Sequence, residues 1–196
     1  AALTITTLTA TNDATINGLT VGKGANSVST NTVLGDDALD AAVTGDKNTA
    51  VGHEALTANT SGARNTAVGS VSLQSNTTGA DNTALGRGTL SANVSGAQNT
   101  AIGKSALEVN IASNNTAVGH QSLDANTSGA NNTAVGQTSL TANTTGADNV
   151  AIGKSALGAN TTGYNNTGIG SGAASGLTAG GDNVAVGFNT MLATVT

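Results

Sequence analysis

The chain is 196 residues long, carries a formal net charge of −5, and is only 9% charged and 1% aromatic. It has 27 glycines but no proline, cysteine or tryptophan. Large apolar side chains supply most burial energy, so this composition excludes a thick globular core. The low charge argues against ordinary disorder, and the absence of cysteine excludes disulfide staples. No basic stripe or aromatic platform offers itself to nucleic acid. No apolar run approaches the roughly 18 residues of a membrane span, so membrane insertion is not expected.

In chain order, residues 1–30 come first as a strand-rich lead-in or cap. They alternate Thr with aliphatics and contain the turn-like pair Asn12-Asp13. From residue 31 to 196 one pattern, Asn-Thr-Ala-Val-Gly, recurs ten times. It opens at Asn31, Asn48, Asn65, Asn82, Asn99, Asn115, Asn132, Asn149, Asn166 and Asn183. Every step is 17 residues except Asn99 to Asn115, which is 16. A period of this size is the signature of stacked rungs. One rung has too little apolar surface to fold alone, so neighbours must share a continuous core. Ten rungs at ~4.8 Å make a rod about 50 Å long.

The opening Asn is taken as offset 0. Offset 1 is Thr or Val, offset 2 is almost always Ala, offset 3 is Val, Ile or Leu, and offset 4 is Gly throughout. This reads as a short strand ended by glycine. Val replaces Thr at Val150 and Val184, which predicts that offsets 1 and 3 face inward. The expected core is therefore Val51, Val68, Leu85, Ile102, Val118, Val135 and Ile152, with the offset-8 leucines Leu56, Leu73, Leu90, Leu107, Leu123, Leu140 and Leu157. The small face then turns outward, and Ala50, Ala67, Ala84 and Ala101 with Gly52, Gly69, Gly86 and Gly103 become candidates for a seam between chains. Offsets 5, 6 and 9 vary among polar types and are expected at the surface.

The second half of the rung has two readings. Restricted offsets 7, 8, 10 and 11, as in Ala55, Leu56, Ala58 and Asn59, have the spacing of one helix face and predict a short helical turn. The alternative is an all-β roll with a second strand turning Leu56, Ala58 and Thr60 inward. In the short rung the missing residue is expected to fall in the connecting turn, leaving the strand at 116–119 in register. The acids of the first rung, Asp36, Asp37, Asp40 and Asp46, suit a polar cap. The C-terminal rungs lose the pattern at Ala174, Leu177 and Met191, which reads as a solenoid cut from something longer.

No residues carry a catalytic constellation, so no enzyme activity, cofactor or metal is expected. The two histidines, His53 and His120, lie four rungs apart, about 19 Å at ~4.8 Å per rung, too far to share an ion. The Asn column reads as a structural ladder of side-chain amides.

The units "NTAVGHEALTANTSGARNTAVG" and "NNTAVGQTSLTANTTGADNVAIG" resemble the repeats of phage tail fibres that end in an endosialidase-type chaperone. The lead-in "INGLTVGKGANSVSTNTVLG" is similar to the segment introducing such repeats in marine phage fibres. "DNVAIGKSALG", residues 148–158, is also similar to the head repeat of trimeric autotransporter adhesins, whose turns form a left-handed β-roll. These resemblances imply a parallel homotrimeric fibre displayed outside the cell, on a virion or as a bacterial surface adhesin. Its partners would be further copies, other fibre or virion components and a host surface receptor, glycan or protein. A reading of another class is an ice-binding solenoid, suggested by the column Thr60, Thr77, Thr127, Thr144 and Thr161 at offset 12.

Overall fold

The computed structural model describes residues 13–16, 19–24 and 28–192. Residues 1–12, including Asn12 of the expected turn, and 193–196 lie outside the described residues. The described residues form a β-solenoid built on one twelve-stranded sheet in sequence order. Among the described residues two strands precede the repeats: β1 (Ala14–Ile16) and β2 (Leu19–Gly22). They form an antiparallel pair, and β2 pairs antiparallel with β3 (Thr32–Leu34). The lead-in thus covers the N-terminal edge of the repeat sheet, an edge that would otherwise expose unpaired backbone groups. The Asp13 carboxylate holds the return of this hairpin, accepting from the backbone N–H groups of Lys23 and Gly24 at 2.6 Å each.

Each repeat then contributes one three-residue strand. These are β4 (Thr49–Val51), β5 (Thr66–Val68), β6 (Thr83–Leu85), β7 (Thr100–Ile102), β8 (Thr116–Val118), β9 (Thr133–Val135), β10 (Val150–Ile152), β11 (Thr167–Ile169) and β12 (Val184–Val186). From β3 to β12 all pairs are parallel, with equivalent offsets side by side. Nine steps of ~4.8 Å give this part a length of about 43 Å.

The inward face of the strand is the reverse of the sequence expectation. Offset 2 is the core position: Ala50, Ala67, Ala84 and Ala101 are completely buried. Val51, Val68, Ile102, Val118 and Val135 are only half-buried, and Leu85 and Ile152 are exposed. They point out of the coil, so the expected core keeps only its leucine half. The seven leucines from Leu56 to Leu157 are fully buried. The coil is narrow, and the Leu side chain fills the space against the strand wall. A Cβ added at Gly168, the one glycine at offset 2, would already stand 3.1 Å from Leu157 Cγ. A β-branched residue there would overpack the coil.

The expected chain-to-chain seam is corrected with it. The four alanines are interior to their own chain. The glycines Gly52, Gly69, Gly86 and Gly103 stack on the glycine of the next rung: a Cβ at Gly69 would lie 2.5 Å from Gly86 O, and φ there is 137°. Their smallness serves contact between rungs within one chain.

No helix exists among the described residues, and the helical turn is replaced by a run of tight turns. Its leucines from Leu39 to Leu157 sit in the left-handed region, with φ between 48° and 54°. A helix would bond its N–H groups within the segment. Here they bond along the rod instead: Leu56 N–H to Ser72 O, Ala58 N–H to Gln74 O, Glu54 N–H back to Asp36 O. Left-handed residues at offsets 6 and 8 allow this, and the ladder of axial bonds offsets their local cost. The alternative second strand is absent as well, since Asn59 is buried and Thr60 exposed.

The short rung loses its residue at offset 13. Ile111 still bonds as an offset-12 residue, its N–H donating to Thr127 O. Ala112 already takes the role of the offset-14 glycine, accepting from the Asn99 and Asn110 amides. β8 stays in register with β7, as expected: Thr100 faces Thr116 and Ile102 faces Val118.

Candidate assembly face and polar ladders

Two features stand out along the rod: an outward sheet face and a buried polar spine. The outward face consists of offsets 1 and 3 of ten consecutive strands. One column is Thr, with Val at Val150 and Val184; the other is entirely Val, Leu or Ile. None of the thirty strand positions from β3 to β12 is charged. β-Branched side chains have few χ1 options, so most of this surface is stiff. It is also open: Leu85 is 47% exposed, and Val184 and Val186 at the C-terminal end are 69% and 63%.

The spine is the Asn column at offset 0. From Asn31 to Asn166 the residues are buried, while Asn183 at the last rung is half-buried. The Oδ1 of each accepts the backbone N–H of the next Asn, as Asn65 does from Asn82 at 3.0 Å. From Asn31 to Asn166, except at Asn99 of the short rung, its Nδ2 donates to the glycine carbonyl 14 residues on, as Asn65 does to Gly79 O at 2.8 Å. Each side chain therefore ties its own turn to the neighbouring strand, and every buried polar group in the cycle is matched.

A second ladder runs beside it at offset 11, which sequence reading treated only as a restricted position. Asn76 Nδ2 donates to Asn59 Oδ1 at 2.8 Å, and Asn93 Nδ2 to Asn76 Oδ1 at 2.9 Å. Each also donates to the glycine carbonyl three residues on, so Gly79 and Gly96 receive both columns. The ladder breaks twice, and both breaks leave an orphan. Asn93 Oδ1 has no partner because the short rung shifts Asn110, and Asn160 Oδ1 has none because Leu177 follows it. The signal for this ladder was the near-invariance of offset 11 against the free variation of offset 9.

Hydroxyls at offset 7 come in adjacent-rung pairs. Ser72 faces Thr89 and Ser122 faces Ser139, each at 2.9 Å and buried. The other buried residues at this offset are Ala38, Ala55, Ala106, Ala156 and Ala173. A buried hydroxyl needs a partner, and the next rung supplies it. At offset 12 the threonine hydroxyls donate along the rod, Thr60 to Thr77 O and Thr144 to Thr161 O.

The surface charges are sparse. Arg64 and Asp81, one rung apart, form a two-pronged ion pair, with Nη2 to Oδ2 at 2.8 Å. The hydrogen bonds raise the Arg64 pKa and lower that of Asp81. Both groups are exposed, so the pair adds little stability. Burial pushes the Asp124 carboxyl up, and the neighbouring Glu108 adds to the shift while His120 opposes it. His53 and His120 occupy the same offset on rungs four apart, and both are exposed. Among the described residues no helix is long and apolar enough to cross a membrane. No family model, curated protein or solved structure matches this chain.

Proposed function

We propose that the chain is a shaft segment of a homotrimeric extracellular fibre of the virion tail-fibre type, a structural element of host attachment without catalytic activity. The observation that carries the reading is the outward Thr/aliphatic face, uncharged over ten rungs. At about 430 Å² the face is of the size that, on a monomer, is often a functional patch.

The threefold stoichiometry is the one the fibre resemblance implies. The face is about 43 Å long and about 10 Å wide, so three copies would bury about 1,300 Å² in total, spread over three thin contacts. With two columns per face, a threefold axis sets the Thr column of each chain beside the aliphatic column of the next. The contact is head-to-tail around the ring and closes on itself. A bacterial surface adhesin would use the same assembly. The ice-binding alternative draws no support from offset 12, where the hydroxyl protons are spent on next-rung carbonyls.

Light scattering tests the assembly. The wild-type chain is expected at three times the monomer mass. Val68→Glu with Ile102→Glu places six carboxylates around the axis and is expected to yield monomers that keep the wild-type β-sheet circular dichroism. Arg87→Glu, off the face, should remain trimeric. A wild-type monomer at tens of micromolar would overturn the reading. Antibodies against the trimer that label fibres on isolated virions would place the shaft on a particle; labelling of bacterial surfaces instead would favour the adhesin.

A further inference from the structure

We propose that the first turn of the solenoid holds a divalent transition-metal ion between the side chains of Asp36, Asp37 and His53. The three are 16 and 17 residues apart in sequence, yet one ligand atom from each lies within 4.8 Å of the others. The fold makes this meeting. Asp36 and His53 are offset 5 of consecutive rungs and stand one above the other. Asp37, at offset 6, has a left-handed φ of 53°, and its carboxylate belongs to the same group. The rungs are locked there by the hydrogen bond from Glu54 N–H to Asp36 O, at 2.9 Å. The Asp37 carbonyl is held by the Thr57 hydroxyl at 2.6 Å.

All three side chains are exposed, so an ion could reach them from solvent. The Asp36 and Asp37 carboxylates accept no hydrogen bond and join no ion pair among the described residues. A third carboxylate, Glu54, comes within 3.9 Å of His53 Nδ1 and is fixed from behind by the Gln74 amide at 2.6 Å. Three carboxylates around one imidazole, with a hydrogen-bonded outer partner, leave uncompensated negative charge and a mixed N/O donor set. Imidazole with carboxylate suits zinc, cobalt or manganese, whereas calcium prefers oxygen alone. His120 is the internal contrast: the residues standing where Asp36 and Asp37 stand beneath His53 are Lys104 and Ser105. The site lies within one chain and does not depend on the trimer.

The test uses the untagged protein with zinc chloride, cobalt chloride and calcium chloride as probes. Calorimetry is expected to give one zinc per chain, with calcium at least about tenfold weaker. His53→Ala, and separately the pair Asp36→Asn with Asp37→Asn, should weaken zinc by at least about tenfold, the size that loss of even an outer-shell partner produces. His120→Ala should bind as wild type. Proton NMR of the wild-type protein gives a second reading without variants: zinc should shift the His53 ring signals and leave those of His120 in place. The proposal is overturned if zinc shows no saturable binding to millimolar concentration, if His53→Ala binds as wild type, or if both histidines respond alike.

Discussion

The rung at 99–114 and its 17-residue neighbours have the same strand, the same buried leucine and the same offset-0 Asn, but differ in how their turns close. In the regular rungs the two Asn ladders converge on one glycine carbonyl, as at Gly79 and Gly96. In the short rung Ala112 takes that carbonyl's place and Ser113 Oγ accepts the Ala97 N–H. Strand register is untouched, and the loss surfaces elsewhere as the orphaned Oδ1 of Asn93. Strand and spine are thus strongly specified, while the second ladder tolerates a gap at the cost of one unpaired acceptor.

That contrast can be broken or sharpened by substitution. The largest effect is expected where both rungs are alike: Leu90→Ala and Leu107→Ala should each cost about 2–5 kcal/mol, the range for a fully buried leucine. Denaturant melts that differed strongly between the two would mean the short rung is packed differently after all. Next, Asn76→Ala removes two donations and one acceptor, whereas Asn93→Ala removes donations only, since its Oδ1 accepts nothing. Asn76→Ala is therefore expected to be the more destabilising by about 1 kcal/mol, one buried hydrogen bond. Equal losses would dismiss the orphan. Inserting Thr between Ile111 and Ala112, with Ala112→Gly, restores offset 13 and brings Asn110 under Asn93. A gain of about 1 kcal/mol is expected in the same melts; a loss would show that the short turn is the better one.

The smallest effect concerns Asp124. Its folded-state pKa is raised, by burial first and Glu108 second. Its protonated form therefore favours the fold: the stabilisation is complete below the unfolded carboxyl pKa, about 3.9, and is lost as pH rises through the folded value. Asp124→Asn should raise stability at pH 7 by a few tenths of a kcal/mol after allowance for solvent screening. That advantage should vanish by about pH 3.

Much of this architecture was legible in the chain. The period, the strand at each Asn-Thr-Ala-Val-Gly, the buried Leu column and the displacement of the short rung's deletion into a turn all follow from repeat arithmetic. Which strand face turns inward did not. Period-2 alternation separates two faces but does not say which is inside, and Val for Thr at Val150 and Val184 suits an outward apolar face as well as a core. The inside is settled by volume: a coil filled by one Leu per rung admits only Ala or Gly opposite it, with Val33 in the first rung as the exception. The turn segment misled for a related reason. Its restricted offsets mimic a helix face because alternating left-handed residues bring neighbours 7 and 8 to the same side. The Asp36–Asp37–His53 group is not visible in a comparison of the two histidines with each other; the partners of His53 lie one period earlier, where a solenoid places its nearest neighbours.

The central claim is that alanine faces in, the aliphatic column faces out, and that outer face is covered by other copies. The chain has no cysteine, so a single introduced thiol reports its position without interference. The measurement is the rate of maleimide modification of Leu85→Cys and Ala84→Cys, each in the wild-type background and with Val68→Glu and Ile102→Glu. Ala84→Cys should be unreactive in both. Leu85→Cys should be protected in the wild-type background and react freely once the glutamates separate the chains. Rapid modification of Ala84→Cys, or an equal, unprotected rate for Leu85→Cys in both backgrounds, would contradict the account.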